Sequence, residues 1–161
     1  MQLSYVKLGQ MKDRFALDRF LPFRLNRLAA EVSERLSRVY AARFDLDIPQ
    51  WRVLATLAGE GESTAQAIVQ STRTHKSTIS RAVQQLEDKH LIERAVSGRD
   101  RRAHVLKLTA EGRRLFRQLK PLVLGYQEQL LGSIEVKAAD ALLRGVDALE
   151  GALGLKGEEQ R

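Results

Sequence analysis

The stretch Ser71-Thr72-Arg73-Thr74-His75-Lys76-Ser77-Thr78-Ile79-Ser80-Arg81-Ala82-Val83-Gln84-Gln85-Leu86 decides how this chain reads. Ser71 to Thr74 carry turn chemistry. From His75 to Lys89 the apolar Ile79, Val83 and Leu86 mark one helical face, while Lys76, Ser77, Ser80, Arg81 and Gln84 lie mostly on the others. Just upstream, Gly59 to Glu62 form a turn, and Ser63-Thr64-Ala65-Gln66 has the Ser-x-x-Gln form of a capping box that opens a short helix to about Gln70. Two helices joined by so short a turn make a helix-turn-helix.

Downstream, Leu91 to Val96 and His104 to Leu108 are β-rich runs. The segment between them, Ser97-Gly98-Arg99-Asp100-Arg101-Arg102-Ala103, combines turn residues with three arginines. A basic hairpin therefore follows the second helix. Upstream, Leu21, Leu25, Leu28, Val32, Leu36 and Val39 repeat at three and four residues, which predicts a long helix from about Leu17 to Ala42 whose other faces hold Arg24, Arg27, Arg35 and Arg38. Phe44 to Asp47 break that pattern, and Asp47 caps a second helix with Pro49 in its first turn and Gln50 three residues on. Trp51, Leu54, Leu57 and Ala58 form its buried side. Thr109 caps a further helix through Leu115, Leu119, Leu122, Tyr126 and Leu130. A last helix carries Leu142, Val146, Leu149 and Leu153, before a polar tail at 156–161.

The fold class expected is thus mainly α with a small β wing. A winged helix-turn-helix lobe at 45–109 is flanked by helical regions at 1–44 and 110–155. At 161 residues the chain makes one ordinary domain, a size that buries roughly 70% of its unfolded-chain surface. The absence of cysteine removes disulfides, thiolate zinc sites and sulfur nucleophiles. No uncharged run approaches a membrane span, and charges from Lys7 to Arg19 interrupt anything like a signal peptide, so the expected compartment is the cytoplasm. The net charge of +7 is unevenly spread: residues 1–43 and 71–107 each carry nine Lys/Arg against four Asp/Glu, whereas 44–70 carry one against four. The second basic block is the helix-turn-helix and its hairpin.

A helix presenting hydroxyls and cations, followed at once by an arginine-tipped hairpin, matches how a duplex is read. The major groove of B-DNA admits one helix and offers acceptors to Arg, Lys, Ser and Thr, and the minor groove attracts inserted Arg. The residues resemble the MarR (multiple antibiotic resistance regulator) winged-helix transcription factors over about residues 20 to 155. The resemblance rests on Pro49-Gln50-Trp51-Arg52-Val53-Leu54, on Lys76 to Arg81 with Leu86-Glu87, and on Leu91-Ile92-Glu93-Arg94. Its most specific part is Asp100-Arg101-Arg102 followed by Leu108-Thr109-Ala110-Glu111-Gly112, which looks like the family's Asp-x-Arg wing tip and Leu-Thr-x-x-Gly helix start.

That resemblance implies a homodimer in which the first helix and the last two interleave, with two reading helices roughly 34 Å apart on a pseudo-palindromic operator. Lys76, Ser77, Thr78, Ser80 and Arg81 on the reading helix, with Arg99, Asp100, Arg101 and Arg102 at the wing, are the expected DNA-contacting residues. Arg102 would enter the minor groove, and Asp100 would orient a wing guanidinium. Two residues depart from the family pattern. His75 stands where many relatives cap the reading helix with Asp, Thr74 being available to cap in its stead, and His90 replaces a common Gly. The resemblance also implies an effector pocket near the first, second and fifth helices, with Phe23, Asn26, Arg27, Trp51 and Phe116 as candidate lining. Leu21 to Leu28 look similar to regulators of aromatic-acid catabolism, which points to an aromatic acid or its CoA thioester as effector. The arginines of the first helix fit solvent, operator phosphate and such an anionic ligand alike.

The expected function is a homodimeric, sequence-specific regulator, a repressor released by a small effector. No cofactor or metal is expected, since His75, His90 and His104 have no ligand spacing. No enzyme is expected either, since no phosphate-binding Gly-rich loop, Gly-x-Ser-x-Gly or paired-His motif occurs. The alternative class is an effector-independent, non-specific DNA-packaging protein, and a preference for specific over random duplex of at least ~10³-fold at matched salt separates the two.

Overall fold

The computed structural model describes residues 15–96 and 104–155. A 3-10 turn at Leu17–Arg19 leads into α1 (Leu21–Phe44), α2 (Ile48–Glu60), β1 (Glu62–Ser63), α3 (Ala65–Thr72), α4 (Lys76–Asp88), β2 (Ile92–Val96), β3 (His104–Leu108), α5 (Ala110–Gly132) and α6 (Val136–Ala152). The architecture is mainly helical with one small antiparallel sheet, as the residue pattern predicts.

Helix α1 begins four residues later than its apolar repeat suggests. Pro22 lies in the first turn and Phe20 is extended, because a proline ring is tolerated there and clashes with the preceding carbonyls further inside a helix. The helix ends at Asp45, whose backbone is left-handed at φ 51°. Helix α2 opens on the expected capping box: the Gln50 amide donates to Asp47 Oδ1 at 2.8 Å, and the Asp47 amide donates to Gln50 Oε1 at 3.4 Å.

The capping residue of α3 is Thr64, not Ser63. Ser63 is drawn into β1, where it is buried opposite Leu106 of β3, and the Thr64 hydroxyl accepts the Ala67 N–H at 3.1 Å. The turn read at Gly59 to Glu62 therefore ends in a short strand. The sheet order is β1-β3-β2, with Ile92 opposite Leu108 and Val96 opposite His104.

The core lies inside the winged lobe. Val53, Leu54 and Leu57 of α2, Ile68 of α3, and Ile79, Val83 and Leu86 of α4 are all buried, and Leu106 and Leu108 close it from the sheet. Trp51 and Ala58, expected on the buried side of α2, are half-buried and pack at the margin. Tyr40 of α1 and Leu119 of α5 are fully buried and join the outer helices to this core.

One junction ties the end of α4 to the start of α5. His90 takes a left-handed turn at φ 57°, a conformation that glycine adopts without strain. The Leu91 amide donates to Leu86 O at 2.9 Å, and Leu91 O accepts the Thr109 amide at 3.1 Å. The Thr109 hydroxyl donates to His90 O at 2.7 Å and accepts the Gly112 N–H at 3.0 Å. Gly112 packs so closely that a Cβ there would lie 2.0 Å from Leu91 O, a backbone atom that cannot swing aside. Gly112→Ala should therefore destabilise the fold by about 1–3 kcal/mol despite the better helix propensity of Ala, read as a fall of several degrees in thermal unfolding; an unchanged midpoint would contradict the close packing.

Candidate nucleic-acid interface

Helix α4 divides cleanly into two sides. Ile79, Ala82, Val83 and Leu86 are buried, whereas Lys76, Ser77, Ser80, Arg81 and Gln84 are exposed and Thr78 is half-buried. Residues 76, 80 and 84 repeat at i, i+4, as do 77 and 81, so one face carries hydroxyl, amide and cationic donors in register. The wing residues expected to act with them, Arg99, Asp100, Arg101 and Arg102, lie outside the described residues.

The start of α4 is capped by His75. Its Nδ1 accepts the Ser77 N–H at 3.3 Å and lies 2.8 Å from the Ser77 hydroxyl. An accepting Nδ1 places the ring N–H of the neutral imidazole at Nε2, and the Ser77 hydroxyl lies beside the Nδ1 lone pair that takes the Ser77 N–H. Thr74, the alternative cap, instead accepts from Arg52 Nη1 of α2 at 3.0 Å. An imidazole can do an Asp's capping work because Nδ1 sits at a distance from the backbone similar to a carboxylate oxygen.

The far end of α4 is anchored in three directions. Arg94 of β2 grips Glu87 with two bonds, Nε to Oε1 at 2.9 Å and Nη2 to Oε2 at 3.1 Å. Lys89 Nζ reaches Asp45 Oδ2 at 2.8 Å and also bonds the Asp45 carbonyl, joining the end of α4 to the end of α1. Here the Lys89 ammonium donates a hydrogen bond to the Asp45 carboxylate and holds its pKa below the usual value. Buried Gln50 completes the set by donating from Nε2 to Gln85 Oε1 at 2.8 Å. The exposed face is thus presented by a helix held at both ends. Beside it, a cleft of about 480 Å³ runs between α3, α4 and β2, bordered by Gln66, Gln70, Lys76, Ser80 and Arg94.

The expected effector residues separate into two groups. Trp51 and Phe116 stack, with centroids 6.2 Å apart and planes 8° from parallel, and Tyr40 stacks on Trp51 at 5.5 Å. They adjoin a largely apolar cavity of about 400 Å³ between α1, α2 and α5, whose walls include Val32, Leu36, Trp51 and Phe116. Phe23 and Arg27 instead pair with each other near the start of α1, Arg27 lying 5.5 Å over the Phe23 ring, and neither lines that cavity. Asn26 is exposed beside them. Lys120 and Tyr126 line the cavity and were not singled out as pocket residues from the sequence; the i, i+4 spacing of Phe116 and Lys120 was the available signal. Among the described residues no group of three or more His, Cys, Asp or Glu is arranged to hold a metal, and no helix is long and apolar enough to cross a membrane.

A helix-turn-helix followed by strands in this order defines the class: a winged helix-turn-helix protein. Its fold is that of the MarR-family winged-helix proteins. A MarR family model matches residues 44–103. Over 100 residues the chain is 30% identical to the HTH-type transcriptional repressor IacR of Pseudomonas putida, a match covering 62% of this chain and 59% of that protein. The chain therefore spans less than two thirds of that relative's length. The MarR/EmrR family transcriptional regulator from Acinetobacter sp. ADP1 superposes with a TM-score of 0.76 at 25% identity, over 88% of this chain and all of that one. CouR from Rhodococcus jostii RHA1, solved with p-coumaroyl-CoA bound, shares the fold with a TM-score of 0.71 at 21% identity, over 84% and 95% of the two chains. Together these matches show the winged-helix fold that MarR-family proteins share.

The aromatic stack carries a testable oddity. The Tyr40 hydroxyl is buried with no hydrogen-bond partner, and burial pushes its pKa up to about 12 from 10.0. A raised folded-state value means this group's contribution to stability is intact below pH 10 and is lost as pH rises through about 12. Tyr40→Phe should leave stability at pH 8 equal or raised by up to ~1 kcal/mol, since an unsatisfied buried hydroxyl is removed, and should lessen the alkaline loss seen by thermal melts at pH 11. A marked destabilisation at pH 8 would contradict the assignment.

Proposed function

We propose that this chain is a homodimeric transcriptional regulator that binds a pseudo-palindromic operator and is released from it by a small effector. The observation that carries the reading is the exposed face of α4. Lys76, Ser77, Ser80 and Arg81 point outward together on a helix whose opposite side is wholly buried and whose two ends are tied down. Such a face has the donors that major-groove acceptors require. The wing arginines Arg99, Arg101 and Arg102 are proposed to follow the backbone or enter the minor groove, with Asp100 orienting one of them.

Homodimerisation is supported by apolar surface that one copy leaves open. Leu21, Leu25 and Leu28 of α1 and Leu142, Leu143, Val146 and Leu149 of α6 are 42–54% exposed. Apolar side chains in such number along two helices mark an interface. We assign 1–44 and 110–155 to a shared helical dimerisation region and 45–109 to the reading lobe, 1–14 and 97–103 lying outside the described residues, with two-fold symmetry setting the α4 pair about one turn of duplex apart. The chain is read as a repressor, and the reading assigns it no catalysis.

The effector is assigned to the cavity walled by Trp51 and Phe116, where a planar ring would meet aromatic faces. CouR, with its bound p-coumaroyl-CoA, is a precedent for an aromatic effector on this fold. A ligand held between α1, α2 and α5 would select a tilt of the lobes that no longer matches successive major grooves, and a large shift of population needs a preference of about 5 kcal/mol between the two states.

Binding to the chain's own upstream region against random duplex, at matched salt, is the test. The specific site should win by at least ~10³-fold, and Arg81→Ala should weaken binding and lower the salt slope by about 1 if it contacts phosphate. Equal retention of both duplexes would favour non-specific packaging. Val146→Asp with Leu149→Asp should yield monomers by light scattering and abolish high-affinity binding; a dimer of unchanged mass would remove α6 from the interface.

A further inference from the structure

The residue that caps the reading helix is titratable. His75 enters α4 from an extended backbone, and its Nδ1 accepts the Ser77 N–H at 3.3 Å with the Ser77 hydroxyl 2.8 Å away. Only an unprotonated Nδ1 has a lone pair to offer. A proton added there turns the ring edge into a donor, which the Ser77 hydroxyl can accept and the Ser77 N–H cannot. The cap therefore belongs to the neutral ring alone, and histidine is the side chain whose ordinary titration falls between pH 5 and 8. An Asp or Asn cap has no such dependence in that range.

No neighbour stands ready to replace the ring. The Thr74 hydroxyl is engaged by Arg52 Nη1 at 3.0 Å and itself donates to Thr72 O at 3.2 Å. Thr78 and Ile79 reach the His75 carbonyl with their amides, at 3.0 and 3.1 Å, which leaves the Ser77 N–H to the imidazole. The charges around this helix end are positive: Arg73 in the turn, Lys76 on α4, and Arg52 of α2, whose guanidinium reaches Thr74. Helix α3 carries no charged side chain. On β2, Arg94 is turned to Glu87 at the far end of α4, and Glu93 pairs with Lys107. Among the described residues no ion pair includes His75, Arg52, Arg73 or Lys76. The partial positive charge of the helix N-terminus acts in the same direction, against a cation in the capping position. Because His75 is exposed, a protonated ring can leave that position for solvent.

We propose that His75 is a positioning residue whose proton sets whether the first turn of α4 is ready to read DNA. The neutral ring fixes Lys76 and Ser77 for the groove, the protonated ring releases them, and specific binding therefore expels a proton and weakens as pH falls. The inference rests on the reading of α4 as the DNA-reading helix. A first turn without its cap frays, and specific binding must then re-form it. Attraction of cations to phosphate needs no such order. Loss of one cap corresponds to about fivefold in affinity.

Competition between a duplex from the chain's own upstream region and random duplex, at fixed salt from pH 8 to pH 5.5, reads the effect. Specific affinity should fall about fivefold over that range while random-duplex affinity stays equal or rises, and calorimetry in two buffers of different ionisation heat should show proton release on specific binding near pH 6.5. His75→Ala should weaken specific binding at pH 8 and flatten the profile. His75→Asn, a cap that does not titrate in this range, should recover the affinity lost in His75→Ala and keep the profile flat. Converting His90 and His104 to Asn should leave the slope in place. A slope that persists in His75→Asn, or a flat wild-type profile, would overturn the proposal and leave α4 standing as the reading helix. Specific binding strengthened by acid and made flat by His75→Asn would overturn it too, by turning the ring into a phosphate contact. Equal retention of both duplexes at every pH would remove it together with the regulator reading.

Discussion

The contact between Gly112 and the Leu91 carbonyl governs how the two parts of this molecule are joined. A side chain of any size at 112 would meet backbone at 2.0 Å, so the first turn of α5 can lie against the wing root only because the residue is glycine. The same Leu91 carbonyl accepts from Thr109, and the Thr109 hydroxyl bonds His90. Reading helix, wing and α5 therefore leave one knot of backbone in fixed directions. Helix α5 runs for 23 residues with Pro121 inside it, and this knot sets the direction in which its first turns leave the wing root.

A second tie lies at the opposite corner, where Lys89 bonds Asp45 and Gln50 bonds Gln85. Helix α4 is thus joined to α1 through its lysine, to α2 through a glutamine pair, and to α5 through the knot. Packed cores and bonded junctions of this kind move as units and not by gradual bending. A displacement of α1 or α5 would then change where α4 points, which the proposed release by altered spacing requires. The aromatic stack of Tyr40, Trp51 and Phe116 crosses α1, α2 and α5, so a ring bound beside it, as proposed, would adjoin all three helices.

Much of this was legible in the residues because burial on one face imposes a period. Ile79, Val83 and Leu86 marked the buried side of α4, Asp47 and Gln50 announced the start of α2, and His104 to Leu108 delimited β3. The misses have physical causes. A two-residue strand such as β1 has no period of its own and exists only because β3 pairs with it, which in turn moved the α3 cap from Ser63 to Thr64. The sequence left the α4 cap open between His75 and Thr74, because capping by His75 depends on which ring nitrogen is free. The grouping of Phe23, Asn26 and Arg27 with Trp51 required knowing which stretch of α1 meets α5. That stretch lies further along, where the Tyr126 hydroxyl donates to Val32 O at 3.1 Å.

The proposed regulator needs two copies of α4 held a fixed distance apart. The chain has no native cysteine, so a single spin label at Asp88→Cys, on the exposed end of α4, reports that distance without background. Pulsed dipolar spectroscopy of the operator-bound protein should give one narrow distribution centred, within the label's reach, on the duplex repeat of ~34 Å. Absence of dipolar modulation, or a broad distribution away from that spacing, would contradict the account.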